Sequence, residues 1–301
     1  MGFRGLYKVV RYDSTRLRSR TDFGSTSRSL EFLVKRSGAS GPVFIWLFTL
    51  PSVVVLAPLA IWMIITRHIT IGMEAALFLA GSAVIHTIYF LLLSRGYRDG
   101  DLSIVYPIAR GTGPLLAGAL AIAILKERPS LSAIVGAFCI TAGAVLLARE
   151  QRAASRLPGS VRVRSVEYGL AIGVLIGVYT VWDKFLVGGL SVSPLILEWV
   201  LSGSICLLVT PSALSNMPLV RETWSKHSKV AVTGALLSSA SYIAFLTALI
   251  AAPVSRAAPL RETSILIGAL LGTRVLGEGK VRQRLAAAGA ISAGVILVSF
   301  G

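Results

Sequence analysis

The chain has 301 residues, 54% of them hydrophobic and only 15% charged, with 30 Lys and Arg against 14 Asp and Glu for a formal charge of +16. Soluble domains carry roughly 25% charged residues, so the composition argues against a water-soluble fold. The excess positive charge does not point to a nucleic-acid partner either, because the basic residues sit in short stretches between apolar blocks, where anionic lipid headgroups favour them.

In chain order, residues 1–41 hold nine Lys and Arg and no apolar run long enough for a cleaved signal or a span. They read as a basic, non-spanning segment. Nine apolar blocks follow, at about 42–66, 72–94, 102–125, 130–148, 167–190, 193–211, 229–250, 254–277 and 281–300. Each matches the roughly 20 residues that a helix needs to cross the hydrocarbon. Only helices and closed barrels satisfy their backbone in lipid, and these blocks are too long and too uniformly apolar for barrel strands. The fold class is therefore an all-α integral membrane protein, a bundle of about nine transmembrane helices.

The second block carries His86 and Tyr89, one turn apart on a helix face and suited to lining a polar interior. The third carries Tyr106, Pro107, Arg110 and Pro114. Arg110 lies about eight residues into the block, or about 12 Å along a helix axis. An arginine that deep costs about 2.5–3.5 kcal/mol on insertion scales and should face a partner or a wet cavity rather than lipid. Pro107 and Pro114 remove helical donors and are candidate breaks. Cys139 in the fourth block and Cys206 in the sixth are embedded and give no disulfide framework.

A polar, basic linker, REQRAASRLPGSVRVRS, occupies 149–165 and divides the chain into halves, 42–148 and 166–301. The fifth block holds Gly169, Gly173 and Gly177, a four-residue spacing that lets helices approach closely. It ends in Trp182-Asp183-Lys184, which reads as an interfacial end pair or as a proton or substrate group. Glu198 and Trp199, early in the sixth block, leave the same alternatives open. Tyr242 lies mid-span in the seventh block, and the eighth contains Pro259, Arg261 and Glu262. Glu262 is placed either to neutralise an arginine or to carry a coupling proton.

The halves repeat. Setting Arg110 on Arg261 aligns Thr112 with Thr263, Leu115 with Leu266, Glu127 with Glu278, Ile140 with Ile291 and Gly143 with Gly294, and one residue of slippage pairs Pro107 with Pro259. The matched blocks are the third and the eighth, so the copies cross the membrane in opposite directions, the inverted-repeat plan of many secondary transporters.

The segments GDLSIVYPIARGTGPLLAGALAIAILKERPSL and APVSRAAPLRETSILIGALLGTRVLGEG resemble the two EamA repeats of the drug/metabolite transporter superfamily. The resemblance covers roughly residues 30–301. It implies a ten-helix bundle that moves metabolites, amino acids or their analogues, usually outward, through a cavity between the halves. Where that plan has its first helix, this chain reads MGFRGLYKVVRYDSTRLRSRTDFGSTSRS, so the expected bundle is the ten-helix plan less helix one.

These readings predict a multi-pass bacterial inner-membrane secondary transporter that works by alternating access around a midplane cavity. The cavity candidates are His86, Tyr89, Tyr106, Arg110, Tyr242, Arg261 and Glu262, and the helix-break candidates are Pro107, Pro114 and Pro259. The expected partners are a small-molecule solute and the lipid bilayer, with proton or ion coupling and a homodimer left open and no nucleic acid. No catalytic residues, metal ligands or cofactor are expected, since the chain lacks a GxxxxGK[ST] loop, an HExxH motif and a cysteine cluster. The alternatives are a non-functional remnant that has lost its first helix, and a membrane-embedded enzyme acting on lipid-linked substrates.

Loop charge predicts orientation. Alternate polar segments beginning with 1–41 hold 22 Lys and Arg, and the opposite set holds 4. Positive loops stay cytoplasmic, which places the N-terminus inside and Gly301 outside. The family resemblance implies the reverse orientation for the central loop.

Overall fold

The computed structural model describes residues 41–68, 71–152, 159–263 and 281–300. All the elements among them are helical: α1 Gly41–Thr66, α2 Met73–Asp99, α3 Leu102–Ile124, α4 Leu131–Arg152, α5 Gly159–Lys184, a π turn Phe185–Gly189, α6 Pro194–Leu214, α7 Met217–Ala251, α8 Val254–Leu260 and α9 Val281–Phe300. Six are long and apolar enough to cross a membrane, and two shorter apolar stretches lie at Leu131–Gly143 and Gly289–Phe300. Large apolar side chains such as Val54, Trp62, Ile65, Leu77, Phe138 and Leu207 stand exposed. An apolar surface on that scale belongs against lipid tails rather than water.

Among the described residues eight of the nine expected spans have a helix in their place, with differences at the ends, and α8 opens the remaining one at 254–277. The linker read at 149–165 is shorter than expected, because α4 continues to Arg152 and α5 starts at Gly159. Likewise α7 starts at Met217, well before the apolar block at 229. Its 35 residues reach about 52 Å, beyond the roughly 30 Å of hydrocarbon, so its first turns stand in the headgroups. Polar residues there still favour helix: Glu222 and Lys226 pair at 2.6 Å, one turn apart. The basic segment 1–40, the repeat-matched positions Leu266 and Glu278, and most of the eighth span lie outside the described residues.

Packing follows the small residues. The most extensive helix contact is α3 on α5, and the Gly169–Gly173–Gly177 stripe makes it. A Cβ at Gly169 would lie 2.7 Å from Ile108 Cβ, one at Gly177 would lie 2.9 Å from Leu116 Cβ, and one at Gly173 would strike the Thr112 hydroxyl. The next contact is α4 on α9. There the Gly136 and Gly294 carbonyls would each sit 2.6 Å from a Cβ on the other glycine, and the repeat-matched Ile140 and Ile291 are buried. α1 packs on α6 and α7, and α2 on α5 and α6.

Contacts at the helix ends sort the connections onto two faces. Gly41 lies against Ser94, and the Asp101 amide donates to Ser165 Oγ at 2.8 Å, which places the starts of α1, α3 and α5 with the end of α2. At the other face Glu127 accepts from the Val254 and Ser255 amides at 2.7 and 2.9 Å, and Lys184 Nζ donates to the Leu249 and Ala252 carbonyls. The turn between α7 and α8 is thus held by an anion at a helix N-terminus and a cation at a helix C-terminus, the signs that the helix dipoles favour.

Candidate functional site

Two polar clusters meet near the centre of the bundle. The first joins α3 to α8. Arg110 Nη1 lies 3.3 Å from Glu262 Oε1, and Arg261 Nε lies 3.9 Å from the same oxygen. Glu262 is almost wholly buried, whereas the Arg110 and Arg261 side chains keep 26% and 18% of their surface accessible. Two guanidinium groups thus converge on one carboxylate in a low-dielectric interior, where charges act strongly on one another and on a bound polar group. Arg110 sits over the Tyr106 ring at 5.6 Å and Arg261 over the Phe245 ring at 4.8 Å. The aromatic faces stabilise the cations where water is scarce.

The second cluster joins α2, α5 and α7. Asp183, fully buried, accepts hydrogen bonds from the Ser82 and Tyr242 hydroxyls. His86 Nε2 lies 3.1 Å from Tyr242 Oη and 3.5 Å from Asp183 Oδ2, while its Nδ1 lies 3.0 Å from the Ser82 carbonyl. The tyrosine and serine hydrogens are both committed to Asp183, so each ring nitrogen of His86 faces an acceptor.

Tyr179 on α5 links the clusters. Its ring lies 4.4 Å from His86, 5.4 Å from Tyr89 and 6.4 Å from Tyr242, centroid to centroid. Its hydroxyl accepts from Arg261 Nη2 at 3.3 Å. Tyr89, Tyr106 and Tyr242 are half-buried, and like the two arginines they keep part of their surface accessible.

All seven cavity candidates therefore lie in these two clusters or against them. Asp183 is not an interfacial partner of Lys184: it turns inward to Ser82 and Tyr242, while Lys184 binds backbone carbonyls. Tyr179, Ser82 and Phe245 complete the clusters with no sequence signal, since an aromatic or a serine in an apolar helix looks like packing. The helix breaks expected at Pro107 and Pro114 are absent, because α3 runs unbroken through both. Each proline costs a single backbone hydrogen bond, and the close contact with α5 holds the helix together. In the second copy α8 ends at Leu260, one residue after Pro259, so Arg261 and Glu262 stand in a turn. The Glu262 amide there donates to the Pro259 carbonyl at 3.0 Å.

Among the described residues no group of three or more His, Cys, Asp or Glu could hold a metal ion. A search of curated proteins found no match. A solved crystal structure is similar in fold, with a TM-score of 0.67 over 94% of this chain and 98% of its own, at 16% identity. Residues 29–149 match the model of the EamA-like transporter family. Beyond that matched segment, the similarity is one of fold, and the helices form a multi-pass membrane bundle.

Proposed function

We propose that the protein is a secondary transporter of the bacterial inner membrane that exports small metabolites or amino-acid-like solutes by alternating access. The observation that supports this most is the meeting of Arg110 and Arg261, equivalent positions of the two repeats, on a single buried carboxylate, Glu262. Two cations gathered from the two repeats beside partly accessible tyrosines suit a solute that carries a carboxylate or another anionic group. Tyr89, Tyr106, Tyr179 and Tyr242 supply hydroxyls and ring faces for the rest of the solute. Rocking of the halves about α3 and α8 would expose this centre to each side in turn.

The test is a resistance screen. Cells producing the chain are challenged with a panel of toxic amino-acid and metabolite analogues, and hits are followed as export from loaded cells. Export is expected for at least one anionic or zwitterionic analogue, with Arg110→Leu and Arg261→Leu inactive at normal membrane abundance. Full export by both leucine variants would reduce the arginines to structural residues and sink this reading.

A further inference from the structure

A third polar cluster takes no part in the site described above. Glu198 on α6, Ser202 one turn later, Ser239 on α7 and Ser52 on α1 are all buried. Ser202 donates to Glu198 Oε1 at 3.1 Å, Ser239 Oγ lies 2.5 Å from the same oxygen, and Ser239 Oγ lies 2.9 Å from Ser52 Oγ. Among the described residues no Lys, Arg or His nitrogen comes within ion-pair distance of Glu198, in contrast to Glu262 and Asp183. A carboxylate inside the hydrocarbon with only neutral donors carries its charge at a high cost. Adding a proton removes that cost.

The hydroxyls are arranged to accept either state. With Glu198 ionised, Ser202 and Ser239 both donate to it and Ser52 donates to Ser239. With Glu198 protonated, the carboxyl hydrogen goes to Ser239, whose own hydrogen turns toward Ser52. Both arrangements use the same heavy-atom positions, because a hydroxyl rotates freely and both donates and accepts. Ser52 belongs to the first half of the chain, and Glu198 and Ser239 belong to the second. The protonation state of Glu198 thus sets the direction of one hydrogen bond between the halves, Ser52 to Ser239.

We propose that Glu198 is a site at which the bundle takes up and releases one proton, read out across the halves through Ser239 and Ser52. The titratable groups around it are few. α1 carries none, α2 contributes His86, α7 contributes Tyr242 one turn from Ser239, and Asp183 on α5 acts on Glu198 as a like charge. None of these groups is a cation within ion-pair distance of Glu198, so among the described residues a charge on it is left without a counter-ion. Use of this proton to drive export rests on the transporter reading, whereas the protonation itself does not.

The experiment therefore needs no solute. The full chain in lipid nanodiscs is titrated with acid and base and followed by infrared difference spectroscopy, reading the carbonyl stretch of a protonated carboxyl group. A reversible carboxyl band is expected in the wild type and in Arg110→Leu, retained in Asp183→Asn and lost in Glu198→Gln. Ser239→Ala, which keeps the carboxyl group, should shift both the frequency of the band and its titration midpoint. A wild type with no band, an undiminished band in Glu198→Gln, or Ser239→Ala indistinguishable from wild type would each overturn the proposal. So would loss of the band on adding sodium ions at fixed pH, which would reassign the oxygens to a metal cation. Export that survives Arg110→Leu would count against the cavity reading and leave this one standing.

Discussion

At the residue scale, buried charge in this bundle is legible where the repeat doubles it and obscure where it does not. Arg110 and Arg261 stand out in the sequence because a mid-span arginine is expensive and here occurs twice at equivalent positions. Their shared partner Glu262 follows from adjacency. Asp183 was harder to read, because its depth depends on which way one turn of α5 faces and not on its distance from the end of an apolar block. Its two hydroxyl donors and the adjacent His86 ring make it the least replaceable residue of its cluster. Asp183→Asn leaves one carbonyl oxygen where two hydroxyls expect an acceptor and turns a donating NH2 toward one of them. Leaving buried partners unsatisfied costs about 1–3 kcal/mol per group. The variant should therefore show a clearly lowered apparent melting temperature in detergent. Tyr242→Phe, which removes one donor only, should lose less. In a double-mutant cycle the two should be non-additive, as expected for groups in one network. Additive losses would mean that Tyr242 and Asp183 do not interact as placed.

At the scale of the helix, the spans could be read because hydrocarbon thickness sets the length of an apolar block. Their ends could not, since helices continue into the headgroups wherever local propensity and pairing allow, as α7 does through Glu222 and Lys226. The glycine stripe of α5 read correctly as packing, and its partner α3 became visible only in three dimensions. Gly173→Ala forces a methyl into the Thr112 hydroxyl, an overpacking that costs typically 1–3 kcal/mol. Gly203 has open space around its Cβ position, so Gly203→Ala is the control. Thermal unfolding in detergent should fall for Gly173→Ala and stay unchanged or rise for Gly203→Ala. Equal effects would show that helix propensity, not the α3 contact, decides. Glu127 is a second case, a residue outside the apolar blocks that fixes a helix inside them. Glu127→Gln keeps only one carbonyl acceptor for the Val254 and Ser255 amides and loses the charge favoured at the start of α8. It should loosen the α7–α8 turn, measured as faster labelling of a cysteine placed at Ala252, with little change at a cysteine placed in α4. Unchanged labelling at Ala252 would show that Glu127 does not hold that turn.

For the whole molecule the open question is which face looks into the cytoplasm. The contacts of Gly41 with Ser94 and of Asp101 with Ser165 gather the starts of α1, α3 and α5 on one face. Those of Glu127 with α8 and of Lys184 with α7 gather the opposite connections on the other. These are the two sets that the alternation of apolar blocks separates in the sequence, with 22 Lys and Arg in one and 4 in the other. Positively charged short loops resist translocation, and the imbalance persists when 1–41 is set aside, at 13 against 4. The starts of α1, α3 and α5 should therefore face the cytoplasm. Counting the nine apolar blocks of the sequence as nine crossings, the end of α9 should emerge outside. The family resemblance implies the reverse, with the central basic linker outside. A reporter that is active only in the cytoplasm, fused after Gly301, should stay silent, and the same reporter inserted at Ser155 should be active. Activity after Gly301 and silence at Ser155 would show that loop charge does not set the orientation of this bundle and that the family's arrangement holds.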